Sequence, residues 1–569
     1  IADLRADTNR DGTVDLTGAS DDTDEHLWTA ARGAIFLANI DDDSSRCSTS
    51  TAQSDVALPQ CHDAADTIIN GPQDLLDTAP LSILAWPEAP DGATARLSLP
   101  ANSDKVRFFV SESNGDYTHF NHQGGTFSAA ALRAGISLRM EGVDIVRNTA
   151  AWNGYVDVVL TVEAGTEQAT DTVRMRVAPL LTYSHATPVV TGYATNVPGD
   201  SDSTDFRTDV QTALTAGSVT APLVSLTTPG GPDQWTQDLF ETGYMTMPTA
   251  SGVQVMRAAI RSANHYNSGT TNPLRTAGKL VFTTLRGPDM AGIQQYQLGS
   301  SSYASYDSFG NLETIPPFTH NGVTWPLGRI IRGSTASDHP DTSMLTMMES
   351  QSIQQPLYVD TSWLAVGHID ETISFLPAST PRGWIMLVND PRLSRTMLQD
   401  AVDAGYGSTL IFPGQLTYNS SGTNWVNAQR TINAVLTDTA IMQESLASAV
   451  EVDAQVALIK QATGITDAEI VRVPYLHESA DGYSVAYQPG TVNGYLINQS
   501  IYAPPEPHGP IINGQDIFKV QLQNALAPFG YTVSWVENWY LYHINMGEVH
   551  CGTNATRVLP AANWWETGR

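Results

Sequence analysis

The sequence predicts two domains of different class: a β-sandwich to about residue 178, then an α/β domain to the end. Three observations predict this. Four segments in the first part alternate apolar with polar residues, the period of a half-buried strand. Beyond them, short apolar runs alternate with helical stretches, the pattern of an α/β domain. And 569 residues exceed one domain, since domains usually run to about 100–200 residues.

The alternating segments are Lys105–Val110, Ile136–Met140, Val156–Val162 and Asp171–Val177. Each is bounded by Gly, Asn, Asp or Ser, and such spacing suggests a sandwich. Pro179 to Thr182 reads as the joint. After it, Leu280–Thr283 and Trp384–Val388 read as strands. Asn427 to Thr463 reads as helix, with Ile432, Val435, Leu436, Ile441, Leu446, Val450, Val456 and Ile459 at near-helical spacing. A strand at Ile470–Val473 follows Gly464. The letters show no fixed-period repeat.

Composition narrows the partners. Lys+Arg is 29 and Asp+Glu is 59, a formal charge of −30. That balance argues against nucleic acid or an anionic membrane as partner and favours cations. No apolar run approaches the length of a membrane span, so no membrane insertion is expected. The expected compartment is extracellular, from scarce Lys, abundant Asp, Thr and Ser, and a first residue that is not Met. Cys47 and Cys61 lie close together and are expected to form a disulfide, as an oxidising compartment allows. Two reduced cysteines in a cytosolic protein are the other reading. Cys551 is left as a free thiol.

Four stretches carry possible chemistry. Asp7-Thr-Asn9-Arg-Asp11-Gly12-Thr-Val-Asp15 places oxygens at alternate positions before a glycine, as a calcium loop opens. It is not an EF-hand, whose twelfth position needs Glu where Gly18 stands. Asn39-Ile-Asp41-Asp42-Asp43 is a second acidic run that could approach it. Trp235-Thr-Gln237-Asp238 joins an aromatic to a carboxylate, although an ordinary loop with a core Trp fits as well. His368 and Asp370, two apart, share a face if extended, which suits acid/base work; a satisfied core histidine fits equally. In His550-Cys551-Gly552 the lone Cys suits a nucleophile, or else a small buried hydrophobe.

Taken together and in this order, the stretches are more specific. The strings WxQD with Glu241 and Tyr244, RGPD (Arg286–Asp289), YDSFGNLE (Tyr306–Glu313), WPLGRI (Trp325–Ile330), VGHIDE (Val366–Glu371), GPIINGQ (Gly509–Gln515), YHINMGEVHCGTN (Tyr542–Asn554) and NWW (Asn563–Trp565) resemble the protein-arginine deiminase family. The resemblance runs from about residue 183 to the end and extends to the two acidic stretches. The family's first, N-terminal immunoglobulin-like domain, found in its animal members, is expected to be missing.

The resemblance implies a calcium-binding immunoglobulin-like β-sandwich over residues 1–180 and a pseudo-fivefold α/β propeller over 181–569. It implies conversion of peptidyl-arginine to peptidyl-citrulline, with arginine-containing peptides or proteins as partners. By analogy Cys551 is the nucleophile, His368 the general acid/base, and Asp238 and Asp370 the guanidinium holders. A planar guanidinium with a fork of donors suits two carboxylates. Empty, such a pair repels, so one pKa is expected to rise. A protonated His368 is expected to lower the Cys551 pKa. Trp235 would wall the aliphatic side chain. Arg261 is expected to contact the substrate backbone; a second arginine of the family falls at Ala259, with Arg257 as a substitute.

For calcium, the resemblance implies Asp7, Asn9, Asp11, Asp15, Asn39, Asp41 and Asp43 in the first domain, with Asp289 reaching across. One catalytic-domain site maps onto Gln237, Glu241, Phe309, Leu312 and Glu313. A second does not map: Leu239, Met256, Arg257 and Ile260 stand at its places, and none is an oxygen ligand. Calcium is therefore expected to stabilise rather than to switch activity. The alternatives are a deiminase of free arginine or agmatine, and a catalytically inactive, calcium-stabilised binding module. A papain-like protease is excluded by order, since here His368 precedes Cys551.

Overall fold

The computed structural model describes residues 2–265, 270–299, 305–419 and 421–569. Alternation along the early segments builds two five-stranded sheets. One runs Leu4–Ala6, Ala79–Ile83, Ile136–Gly142, Val106–Ser111, Tyr117–Phe120, all antiparallel. The other runs Ala34–Phe36, Glu167–Val177, Tyr155–Ala164, Thr94–Ser98, Phe127–Ser128. Its only parallel pair joins Ala34–Phe36 to Glu167–Val177. In Ile136–Gly142, Leu138 and Met140 point inward and Ser137 outward, as a period of two requires. The inward side chains of both sheets, among them Leu81, Leu97, Phe108, Leu138, Val158 and Val173, meet in one core. All four expected strands are present.

From Leu181 onward the chain repeats one construction. A central strand takes an antiparallel partner on one side and a parallel partner on the other. Among the described residues this occurs five times. The centres are Val189–Thr195, Gly252–Arg261, Arg329–Gly333, Trp384–Asp390 and Ile501–Ala503. A parallel partner needs a crossover. Helices supply it at Ser201–Ala216, Thr342–Ser350, Pro391–Asp403 with Thr439–Thr463, and Ile517–Leu526. The last strand, Asn554–Arg557, pairs with the first centre, Val189–Thr195. The five small sheets thus close into a propeller-like ring, and the stretch just before Asn554 is brought back beside the start of the domain.

Three local expectations are corrected. Leu280–Thr283 is not a strand but lies in helical turns, Thr276–Lys279 and Val281–Leu285. Leu280, Val281 and Phe282 are all buried, and a short apolar run has no period to tell helix from strand. The stretch from Asn427 is not one helix. It holds strands Trp425–Asn427 and Arg430–Thr431 and a short helix, Ile432–Leu436. Asp438 then caps a new helix, Thr439–Thr463, by accepting from the Ala440 and Ile441 amides, and Gly464 ends it in the left-handed region. His368 and Asp370 share a side through a tight turn, Ile369–Glu371, rather than a strand.

The predicted disulfide, Cys47–Cys61, closes a loop with a sequence separation of 14. That loop reaches into the ring of small sheets. Asp55, at its middle and fully buried, pairs with Arg261 at 2.9 Å and accepts from the Leu274 amide at 3.0 Å. Leu58 packs among Leu226, Phe240, Ala259 and Leu280. Arg261 is therefore corrected as a substrate contact. It is fully buried, its terminal nitrogens committed to Asp55, Gln294 and the Arg275 carbonyl.

Replacing Cys47 and Cys61 with Ser frees this loop in the unfolded chain and is expected to cost about 3 kcal/mol. Guanidinium melts under oxidising conditions measure it, and the difference from wild type should vanish in excess dithiothreitol.

Candidate active site

The short helix Thr236–Leu239 carries Asp238 and leads directly into the strand Phe240–Thr249. It is stitched to the Cys551 segment. The Tyr542 hydroxyl donates to the Gln234 carbonyl at 2.9 Å, and Gln234 Nε2 donates to the Leu541 carbonyl at 2.9 Å. The Trp235 ring lies edge-on to Tyr542 and directly over Gly547, where a Cβ would sit 2.2 Å from the ring. Gly547 is needed for that approach.

Cys551 sits in a tight turn, His550–Gly552, just before the closing strand. Its sulfur lies 3.6 Å from Asp370 Oδ2 and 3.7 Å from Asn493 Oδ1. Asn493 also accepts from the His550 amide at 2.9 Å and donates to the Asp370 carbonyl at 3.2 Å. It ties the nucleophile's turn to that of Asp370. The Asp370 carboxylate is held by His550 Nδ1 at 2.9 Å. Asn493 carries no signal that sequence reasoning used, and His550 entered it only as the neighbour of Cys551.

His368 caps the Asp370 turn: its amide donates to Glu371 at 2.9 Å, while ring Nε2 meets the Ser305 hydroxyl and carbonyl at 3.1 and 2.9 Å. Its Nδ1 and Asp370 Oδ1 are buried without a hydrogen-bond partner. Two such orphans beside a thiol are what a polar ligand would satisfy. Gly310 keeps the space open, since a Cβ there would lie 2.5 Å from His368 Nδ1 and 3.2 Å from Asp370 Oδ2.

The electrostatics are anionic. Burial, then Asp370, pushes the Cys551 thiol well above its ordinary range, and Asp238 and Glu371 add to it. Glu371 is likewise raised by burial. Burial raises Asp238, and Arg275 and His368 oppose the rise. Burial above all, with Asp370 next, thus disfavours the thiolate in the empty site, the opposite direction to the lowering expected from His368.

The expected catalytic-domain calcium set is partly brought together. Gln237 Nε2 donates to Glu241 at 2.8 Å and to the Phe309 carbonyl at 3.3 Å, and Phe309, Leu312 and Glu313 form one buried segment. A group the sequence reading missed stands inside it. His185 lies 3.3 Å from Glu241 and 3.0 Å from Glu313. Burial works to lower its pKa, but Glu313 and Glu241 outweigh it and raise it to about 10. These carboxylates favour the protonated form of the ring.

In the first domain Asp41 and Asp43 converge with Asp77, one oxygen of each lying within 4.8 Å of the others. Asp41 Oδ1, both Asp43 oxygens and Asp77 Oδ2 are buried without hydrogen-bond partners. Burial and mutual repulsion push all three carboxyls upward. These residues fit a hard divalent cation. Asp289 does reach across, its amide donating to Asp41 at 2.9 Å. Asn39 donates its amide to Asp74 and Glu141, and its Oδ1 is likewise buried without a hydrogen-bond partner. Asp77, Asp74 and Glu141 were missed because they lie far from the acidic strings. Asp7, Asn9, Asp11 and Asp15 do not meet at one centre. They accept from their own loop, at Gly12, Asp11, Thr13 and Thr17 respectively. Gly12 of this loop lies directly against the Thr249 backbone.

A ring of small mixed sheets around a thiol, an imidazole and two carboxylates defines a hydrolase acting on the guanidino group. The family model described as protein-arginine deiminase matches residues 167–566, and the chain belongs to that family. It is 26% identical over 587 residues to "Protein-arginine deiminase type-1" of Homo sapiens, covering 99% of this chain and 82% of that protein. It is 26% identical over 591 residues to the type-4 enzyme of Mus musculus, with the same coverages of 99% and 82%. A solved structure described as a "putative agmatine deiminase" matches at 11% identity and TM-score 0.35, covering 67% of this chain and 96% of that one, a likeness too distant to inform the substrate.

Two outcomes are expected. Because Cys551 titrates above its ordinary value, its inactivation by neutral iodoacetamide should climb about tenfold per pH unit from pH 7 to 9. A plateau below pH 8 would mean a preformed thiolate. Gly310→Ala should lower kcat/KM about 100-fold by displacing His368, with circular dichroism unchanged.

Proposed function

We propose that the chain converts arginine within peptides or proteins to citrulline, releasing ammonia through a covalent intermediate on Cys551. The observation that carries this is convergence: a thiol, an imidazole and two carboxylates from three distant segments meet in one buried place. The substrate guanidinium lies between Asp238 and Asp370, whose charges offset its desolvation. Its positive charge favours the thiolate that the empty site disfavours. The thiol proton passes to His368 and the sulfur attacks the guanidinium carbon. In the tetrahedral adduct a carbon–nitrogen bond breaks, and ammonia leaves with the proton from His368. The remaining thiouronium takes a water that His368 deprotonates. Collapse then breaks the carbon–sulfur bond, leaving citrulline and the thiol.

The N-terminal sheets serve in this reading as an immunoglobulin-like scaffold. Calcium, held by Asp41, Asp43 and Asp77, would neutralise their charge and stabilise the fold. An extracellular setting suits the disulfide.

The test is citrulline formation from a blocked arginine peptide with calcium and with EDTA. Product in both conditions, none from Cys551→Ala, and a melting temperature raised by calcium in wild type but not in Asp77→Asn are expected. At 100 times its Kd calcium adds about 2.7 kcal/mol. Turnover of free arginine or agmatine alone would point to the smaller-substrate reading, and no product at all to a binding module.

A further inference from the structure

The guanidinium site already contains a guanidinium. Arg275 is nearly fully buried and faces two carboxylates. Its Nε and Nη2 form a bidentate pair with Asp233, at 2.9 and 2.8 Å, and its Nη1 donates to Asp238 Oδ2 at 3.0 Å. The fork is thus turned to Asp233, and only the remaining corner reaches Asp238. Asp238 Oδ1 accepts no hydrogen bond from the described residues. Resting on the deiminase reading above, we propose that Arg275 is a positioning residue, a fixed cationic strut that orients Asp238 and leaves one oxygen uncommitted for the substrate.

The backbone supports a strut. The Arg275 amide donates to the Asn264 carbonyl at 2.8 Å, and its carbonyl accepts from Arg261 Nη2 at 3.0 Å. The neighbouring Leu274 amide is held by Asp55, in the disulfide loop. The root of the side chain is therefore pinned by the buried Arg261–Asp55 pair, which belongs to both domains. The charge count supports it too. Asp233, Arg275 and Asp238 together carry one negative charge, enough to attract a cation. Without Arg275 two carboxylates five residues apart would repel and Asp238 would have no fixed partner. A competitor for the substrate would instead turn its fork to Asp238. Lys cannot do the same work, because it lacks the planar fork that engages two carboxylates at once.

The experiment uses Arg275→Gln and Arg275→Lys in the full chain. Two rates of Cys551 inactivation are measured, with cationic 2-chloroacetamidine and with neutral iodoacetamide, beside kcat and KM for a blocked arginine peptide. Only the cationic reagent needs an oriented Asp238. In Arg275→Gln the ratio of the two rates should fall at least tenfold and KM should rise more than kcat falls. Arg275→Lys should lie between it and wild type. A wild-type ratio and KM in Arg275→Gln with a lowered melting temperature would overturn the proposal, leaving Arg275 as packing. A higher ratio with a lower KM would overturn it as well, showing a competitor. If Arg275→Gln does not fold, a wild-type ratio in folded Arg275→Lys overturns it. Wild-type protein that does not prefer the cationic reagent would instead sink the deiminase reading, and this strut with it.

Discussion

The catalytic cleft buries several carboxylates close to one another and must offset the cost. Asp238, Asp370, Glu371, Glu241 and Glu313 are all shielded from solvent. A buried charge without a partner is expensive, and like charges make it worse. The chain answers with cations of its own: Arg275 on Asp238, and His185 between Glu241 and Glu313. The net site remains anionic, which suits a cationic substrate and explains why the empty site disfavours the thiolate it will need. Substrate charge completes the balance.

This arrangement joins the two domains. Asp55 leaves the disulfide loop, pairs with Arg261 and holds the Leu274 amide, so the first domain fixes the segment from which Arg275 reaches the cleft. The Asp7–Asp15 loop contributes differently. Its oxygens serve its own amides, which makes it rigid enough to seat Gly12 on the Thr249 turn. Alternate acidic residues before a glycine read equally as a metal loop or as a self-bonded turn, because both need oxygens aimed inward.

The fold was legible wherever a local period existed. The early strands alternate over part of their length, and the expected spans lie within a few residues of the strand ends. The fivefold repeat was not legible, although the pairing repeats faithfully. Each unit needs only an antiparallel and a parallel neighbour, and apolar residues of many kinds satisfy that, so letters need not recur. The helical break at Asp438 was missed because the apolar spacing continues across the cap, and Leu280–Thr283 because three buried apolar residues in a row have no period.

By itself the sequence determined the chemistry available. Cys551, His368, Asp238, Asp370 and the disulfide all follow from residue type and from strings that resemble one family, since side-chain chemistry is written in the letters. The tertiary structure decided which groups meet. It buried Arg261 in an ion pair and put Arg275 beside Asp238. It set His185 among the expected metal ligands, and drew Asp77 to Asp41 and Asp43. The physical reason is distance along the chain. Each of these contacts joins residues dozens to hundreds of positions apart, and only ring closure and domain docking bring such residues within hydrogen-bond reach.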